Sequence, residues 1–167
     1  MEIANLSISE GKKKDTAHYF YTGTSCMNIS TPNVKAAICI CFNEDKDDTV
    51  TELLDKSLCT NQKAELYAIY RALTCIKSEE TIHIISRSDY AVKCINVWSN
   101  RWKQNNWKNI SDGTSDNKSI VKSIVELIED LTHDSKTINI SHSSTIPNVQ
   151  GNNIAHNTAR DILLDNS

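Results

Sequence analysis

The sequence predicts an α/β domain built as a mixed five-stranded sheet flanked by helices. Three observations carry that expectation. Three β-leaning runs follow one another near the N-terminus, joined by polar connections, as in an antiparallel meander. The hydrophobic period then changes from that of strands to that of a helix. Beyond that point two further β-branched runs alternate with helical stretches, which places helices against a sheet that is no longer purely antiparallel.

The elements follow in order. Residues 18–22 hold aromatic side chains in a short strand. Residues 34–42 (VKAAICICF) form a largely apolar strand ending in an acidic turn, Glu44-Asp45-Lys46-Asp47-Asp48. A third strand, 49–56, returns from it. Over 61–76, Ala64, Leu66, Ala68, Ile69, Ala72, Leu73 and Ile76 recur at helical spacing. The run TIHIIS at 81–86 is a strand, and Ser88 is placed to cap a helix reaching Trp98. Residues 100–108 are basic and tryptophan-bearing. A polar loop is expected over 110–117, an amphipathic helix over 119–131 (SIVKSIVELIEDL), a strand over 137–141 and a last helix over 152–164. Residues 1–16 are polar, carry Lys12, Lys13 and Lys14, and read as a flexible leader to a domain spanning 17–167.

With 167 residues, 39% of them hydrophobic and 23% charged, the chain is long enough for one full core. A net charge of −3 offers nucleic acid no global attraction, so any such contact needs a local basic patch. Six cysteines without a Cys-x-x-Cys pair, behind a start that lacks an apolar signal region, read as reduced buried thiols in an intracellular protein. No apolar run approaches membrane-spanning length, so no membrane association is expected.

The segment Thr60-Asn61-Gln62-Lys63-Ala64-Glu65-Leu66, opening the first helix, resembles that of the ribonuclease H family, type 1. So does Trp98-x3-Trp102-Lys103-x3-Trp107-Lys108, which is similar to a basic protrusion that grips the DNA strand in some members. Near the C-terminus, His142-Ser143 and Gly151-Asn152-Asn153-Ile154-Ala155-His156 parallel the family's Gly-His-Ser-Gly and Gly-Asn-Glu-x-Ala-Asp. The likeness covers about residues 18–164. It implies a ribonuclease H-like fold and, in an active member, hydrolysis of the RNA strand of an RNA–DNA hybrid by two magnesium ions.

The resemblance also implies four clustered carboxylates as magnesium ligands. Of these positions, Glu65 keeps its acid. Gly23, after Tyr21-Thr22, stands at the first; Arg87 at the third, because the interval from Glu65 matches without a gap; and His156 at the fourth. A set whose formal charge sums to about zero, with a guanidinium inside it, repels magnesium rather than collects it. No metal or other cofactor is therefore expected, and magnesium only if the site is active. Asp15, Asp89 and Asp161 do not restore the cluster without distortion.

Glu65 reads either as the surviving acid of a dismantled site or as an acid favoured by the dipole of a first helical turn. Arg87 has two roles open, pairing with Glu65 or reaching a phosphate, besides pointing into solvent. His142 resembles a mobile loop histidine that assists product release, or is an ordinary surface residue. Asn61 and Gln62 sit where family members touch the hybrid. Arg101, Trp102, Lys103, Trp107 and Lys108 interleave basic and aromatic side chains suited to a nucleic-acid backbone. The expected function is a catalytically inactive ribonuclease H-like protein that binds RNA–DNA hybrid or double-stranded nucleic acid. The alternatives are a protein-interaction scaffold and an active nuclease with an altered metal site.

Overall fold

A computed structural model describes residues 16–108, 115–147 and 150–166. Five strands form one sheet in the order β3-β2-β1-β4-β5. β1 (His18–Met27), β2 (Lys35–Phe42) and β3 (Thr49–Leu53) are the antiparallel meander, while β4 (Thr81–Ser86) and β5 (Thr137–His142) join β1 in parallel. The helices are α1 (Asn61–Thr74), α2 (Asp89–Lys93), α3 (Ser99–Gln104), α4 (Ser115–His133) and α5 (Gln150–Asp165). The expected mixed sheet flanked by helices is thus the fold of the chain.

Strand alternation divides the core into two layers. Phe20, Ile38, Ile40, Ile82 and Ile84 face α1 and α4, where Leu66, Ile69, Leu73, Val121 and Ile124 meet them. Tyr21, Ala37, Cys39, Cys41 and Ile85 face the other way, against Ala155, Ala159 and Leu163 of α5. Small side chains on both sides let α5 lie close to the sheet. At Gly151 a Cβ would come 2.3 Å from the Tyr21 ring, so that position must lack one.

Several boundaries differ from the sequence expectation, each for a tertiary reason. β1 runs five residues past Thr22, because β2 pairs with it as far as Met27↔Lys35 despite the glycine and hydroxyl residues there. β3 stops at Leu53, where Asp55 accepts the Ser57 N–H and opens a short 3-10 turn, Lys56–Leu58. Helix α4 starts at Ser115, inside the stretch expected as a loop. There Asn117 is buried, and its amide donates to Gln62 Oε1 and to the Tyr90 hydroxyl. The rest of that expected loop, 110–114, lies outside the described residues, as does the expected leader apart from Thr16. Ser88 caps α2 as expected, accepting the Ala91 N–H at 3.1 Å. The helix then continues through a π-helical segment, Cys94–Trp98, into α3.

Candidate functional site

β1 and β4 pair only from His18↔Ile82 to Tyr21↔Ile85, and beyond that point the two parallel strands part. Such a gap at the C-terminal ends of parallel strands is where α/β sheets bind their ligands. Asn152, wholly buried at the start of α5, bridges it: its amide donates to Thr22 O and to Ile85 O, each at 2.9 Å. Just past this clamp lies a cavity of about 370 Å³ lined by residues 22–26, Asn61, Glu65, Arg87 and His156.

Glu65 reaches the cavity from the second turn of α1, whose start Thr60 fixes by accepting the Lys63 N–H. Its Oε1 accepts the Thr24 hydroxyl at 2.7 Å, while its Oε2 is buried and has no partner among the described residues. Burial pushes its carboxyl above the ordinary glutamate value. The Thr24 hydrogen bond and the charges of Arg87 and His156 offset only part of that rise.

His156 stands on α5 with Nδ1 2.8 Å from Thr24 O. A carbonyl can only accept, so Nδ1 carries the proton. Arg87 is the first residue beyond β4. It is exposed at the cavity wall and makes no ion pair within 4.0 Å among the described residues. Of the roles open to it, direct pairing with Glu65 is therefore not the one adopted; its charge acts on Glu65 only from further off.

Strand parity decides which β1 side chain can meet Glu65. Tyr21 and Gly23 face α5, whereas Thr22 and Thr24 face α1. A Cβ at Gly23 would lie 2.3 Å from His156 N and 2.4 Å from Ala155 C, both backbone atoms of α5. No side chain fits there. The side chain that meets Glu65 belongs to Thr24. Alternation counted from Tyr21 could have revealed this in the sequence, had the strand not been expected to end at Thr22.

The donor set does not fit a pair of magnesium ions. It offers one carboxylate, with one oxygen held by Thr24 and the other buried, where hard oxygen ligands in octahedral array are needed. Among the described residues no three of His, Cys, Asp and Glu come together as a metal site.

The remaining sequence candidates are partly dispersed. Asn61 lines the cavity, exposed at the start of α1. Gln62 is engaged by Asn117. His142 is not among the cavity residues; its ring closes the end of β5, with Nε2 3.1 Å from Arg87 O. Trp98, Trp102 and Trp107 form a chain of tilted rings 6.3 and 6.5 Å apart. Trp102 and Trp107 pack on the core, and Lys118 lies 5.1 Å above the Trp102 ring. Lys103 is ion-paired with Glu129, and Arg101 and Lys108 are exposed. No described helix is long and apolar enough to cross a membrane.

Comparison with known proteins agrees with this architecture. The family model for RNase H matches residues 15–163. A ribonuclease H of Clostridium botulinum is 33% identical over 94 residues, 54% of this chain and 61% of that enzyme, so the match spans under two thirds of the relative. The foamy viral protease-reverse transcriptase solved with double-stranded DNA superimposes with a TM-score of 0.68 at 26% identity. That match covers 86% of this chain and 92% of the other. The same viral protein solved with an RNA/DNA hybrid gives 0.67 at 26% identity, covering 88% of this chain and 20% of that one.

Proposed function

The chain belongs to the ribonuclease H family, and on that premise we propose that it is a member that holds nucleic acid, RNA–DNA hybrid first, without two-metal cleavage. One observation carries the reading. Where the family chemistry needs a cluster of acids, the described residues place in the cavity a single carboxylate, one oxygen of it buried and without a partner among them, beside the exposed Arg87, which makes no ion pair among them. The fixed positive charge of Arg87 suits a backbone phosphate at the place where magnesium would otherwise mediate the contact.

Asn61, exposed beside it at the start of α1, adds a neutral donor and acceptor for the duplex. Arg101 and Lys108 extend the positive surface along the tryptophan segment. The neighbours solved with double-stranded DNA and with RNA/DNA hybrid support the choice of ligand class.

A protein-interaction scaffold is the second reading. It is favoured by the internal engagement of Gln62 with Asn117 and of Lys103 with Glu129, which takes two expected contacts out of play. Fluorescence anisotropy with a labelled RNA–DNA hybrid, titrated from low to physiological salt, separates the two. Hybrid binding that weakens steeply with salt is expected. No binding at any salt favours the scaffold.

A further inference from the structure

We propose that His142 is a positioning residue for Arg87, a role that rests on the reading of Arg87 as a phosphate contact. Ser86↔His142 is the last pair between β4 and β5, so Arg87 is the first residue to leave the sheet. Its backbone is then held from two sides. The Ser88 N–H donates to Ser86 Oγ at 3.1 Å, and the carbonyl of Arg87 itself meets His142 Nε2 at 3.1 Å.

The tautomer needed for the second bond is built in. The Ser144 N–H donates to His142 Nδ1 at 3.2 Å, and the Ser144 hydroxyl lies 2.7 Å from the same nitrogen. Nδ1 is therefore the acceptor, and Nε2 carries the hydrogen that it donates to Arg87 O. The ring thus bonds at once to the carbonyl of Arg87 at the end of β4 and to Ser144 beyond β5. Because the Arg87 guanidinium has no ion-pair partner among the described residues, its root is the part the fold can fix. Fixing it in advance lowers the ordering cost that a bound phosphate would otherwise meet.

The test is a double-mutant cycle on the affinity of the full chain for a labelled RNA–DNA hybrid, measured at several salt concentrations, with Arg87→Ala, His142→Ala and the double variant. Arg87→Ala is expected to lower the salt slope by about one. His142→Ala is expected to weaken binding about three- to tenfold, the range for an unfixed side chain, and to add nothing once Arg87 is gone. His142→Gln, whose amide N–H can replace the Nε2 hydrogen, is expected to keep most of the affinity. A thermal midpoint for each variant separates unfolding from lost binding, and if His142→Ala does not fold, His142→Gln in both backgrounds decides. An effect of His142→Ala that is absent, or equal with and without Arg87, overturns the positioning role alone. No effect of Arg87→Ala overturns the phosphate reading, and this role with it.

Discussion

Thr24 and Glu65 share a 2.7 Å hydrogen bond in the lining of the cavity, and this pair, not Gly23 and Glu65, marks where β1 meets α1. It follows that an acid can be introduced at 24 but not at 23. Gly23→Asp forces a Cβ into the backbone of α5 and is expected to destabilise the chain by about 3 kcal/mol or more, the upper range for overpacking. Thr24→Asp faces the open cavity and is expected to fold at neutral pH, at a smaller cost from crowding a second carboxylate beside Glu65. Urea denaturation of the two variants checks this; equal losses would contradict the strand parity.

Glu65 makes stability depend on pH in a known direction. Its folded pKa is raised above the ordinary value of 4.5, chiefly by burial. The folded chain therefore holds this proton more tightly than the unfolded one. The contribution is fully present below the unfolded value and is lost as pH rises through the folded one. Asp55 and Asp89, whose carboxyls are held low, act in the opposite sense, so the effect must be read as a difference. Relative to the parent, Glu65→Gln is expected to gain stability as pH rises from about 4.5 towards neutrality. A difference that does not change over that window would contradict the raised pKa.

Asn152 holds the two parting strands through donors alone. Asn152→Ala leaves two carbonyls without that donor and is expected to cost about 2–4 kcal/mol. Asn152→Asp is expected to cost more, since it sets a buried carboxylate against the same two carbonyl oxygens. Chemical denaturation gives the order, and an aspartate variant as stable as the alanine one would contradict the clamp.

In the tryptophan segment, packing and charge separate cleanly. Trp102→Ala removes a ring packed on the core under Lys118 and is expected to cost about 3 kcal/mol. Lys103→Ala breaks only an exposed pair with Glu129 and is expected to change stability by less than about 1 kcal/mol. Thermal unfolding distinguishes them.

Much of the fold was legible because local signals and tertiary packing agreed. The helical period of α1, the β-branched run of β4 and the Ser88 cap are each decided by nearby residues. Legibility failed where a distant partner decides. β1 continues through Gly23-Thr24-Ser25 only because β2 pairs with it, and α4 begins early around Asn117, which answers to Gln62 and Tyr90. In the candidate site, Glu65, Arg87 and His156 could be placed by their intervals, and all three line the cavity. Thr24 was missed because β1 was expected to end at Thr22, and Asn152 because its role depends on two carbonyls far away in sequence. The lock on His142 likewise needs Ser144 and the β4 end in view together.

Cleavage of a labelled RNA–DNA hybrid by the unaltered chain, at millimolar magnesium and, separately, manganese, decides whether the site still cuts. No metal-dependent product is expected with either ion. Partial recovery of cleavage is expected in a variant carrying Thr24→Asp, Arg87→Asp and His156→Asp, which would surround Glu65 with acids. Metal-dependent product from the unaltered chain, abolished by Glu65→Ala, would contradict an inactive site.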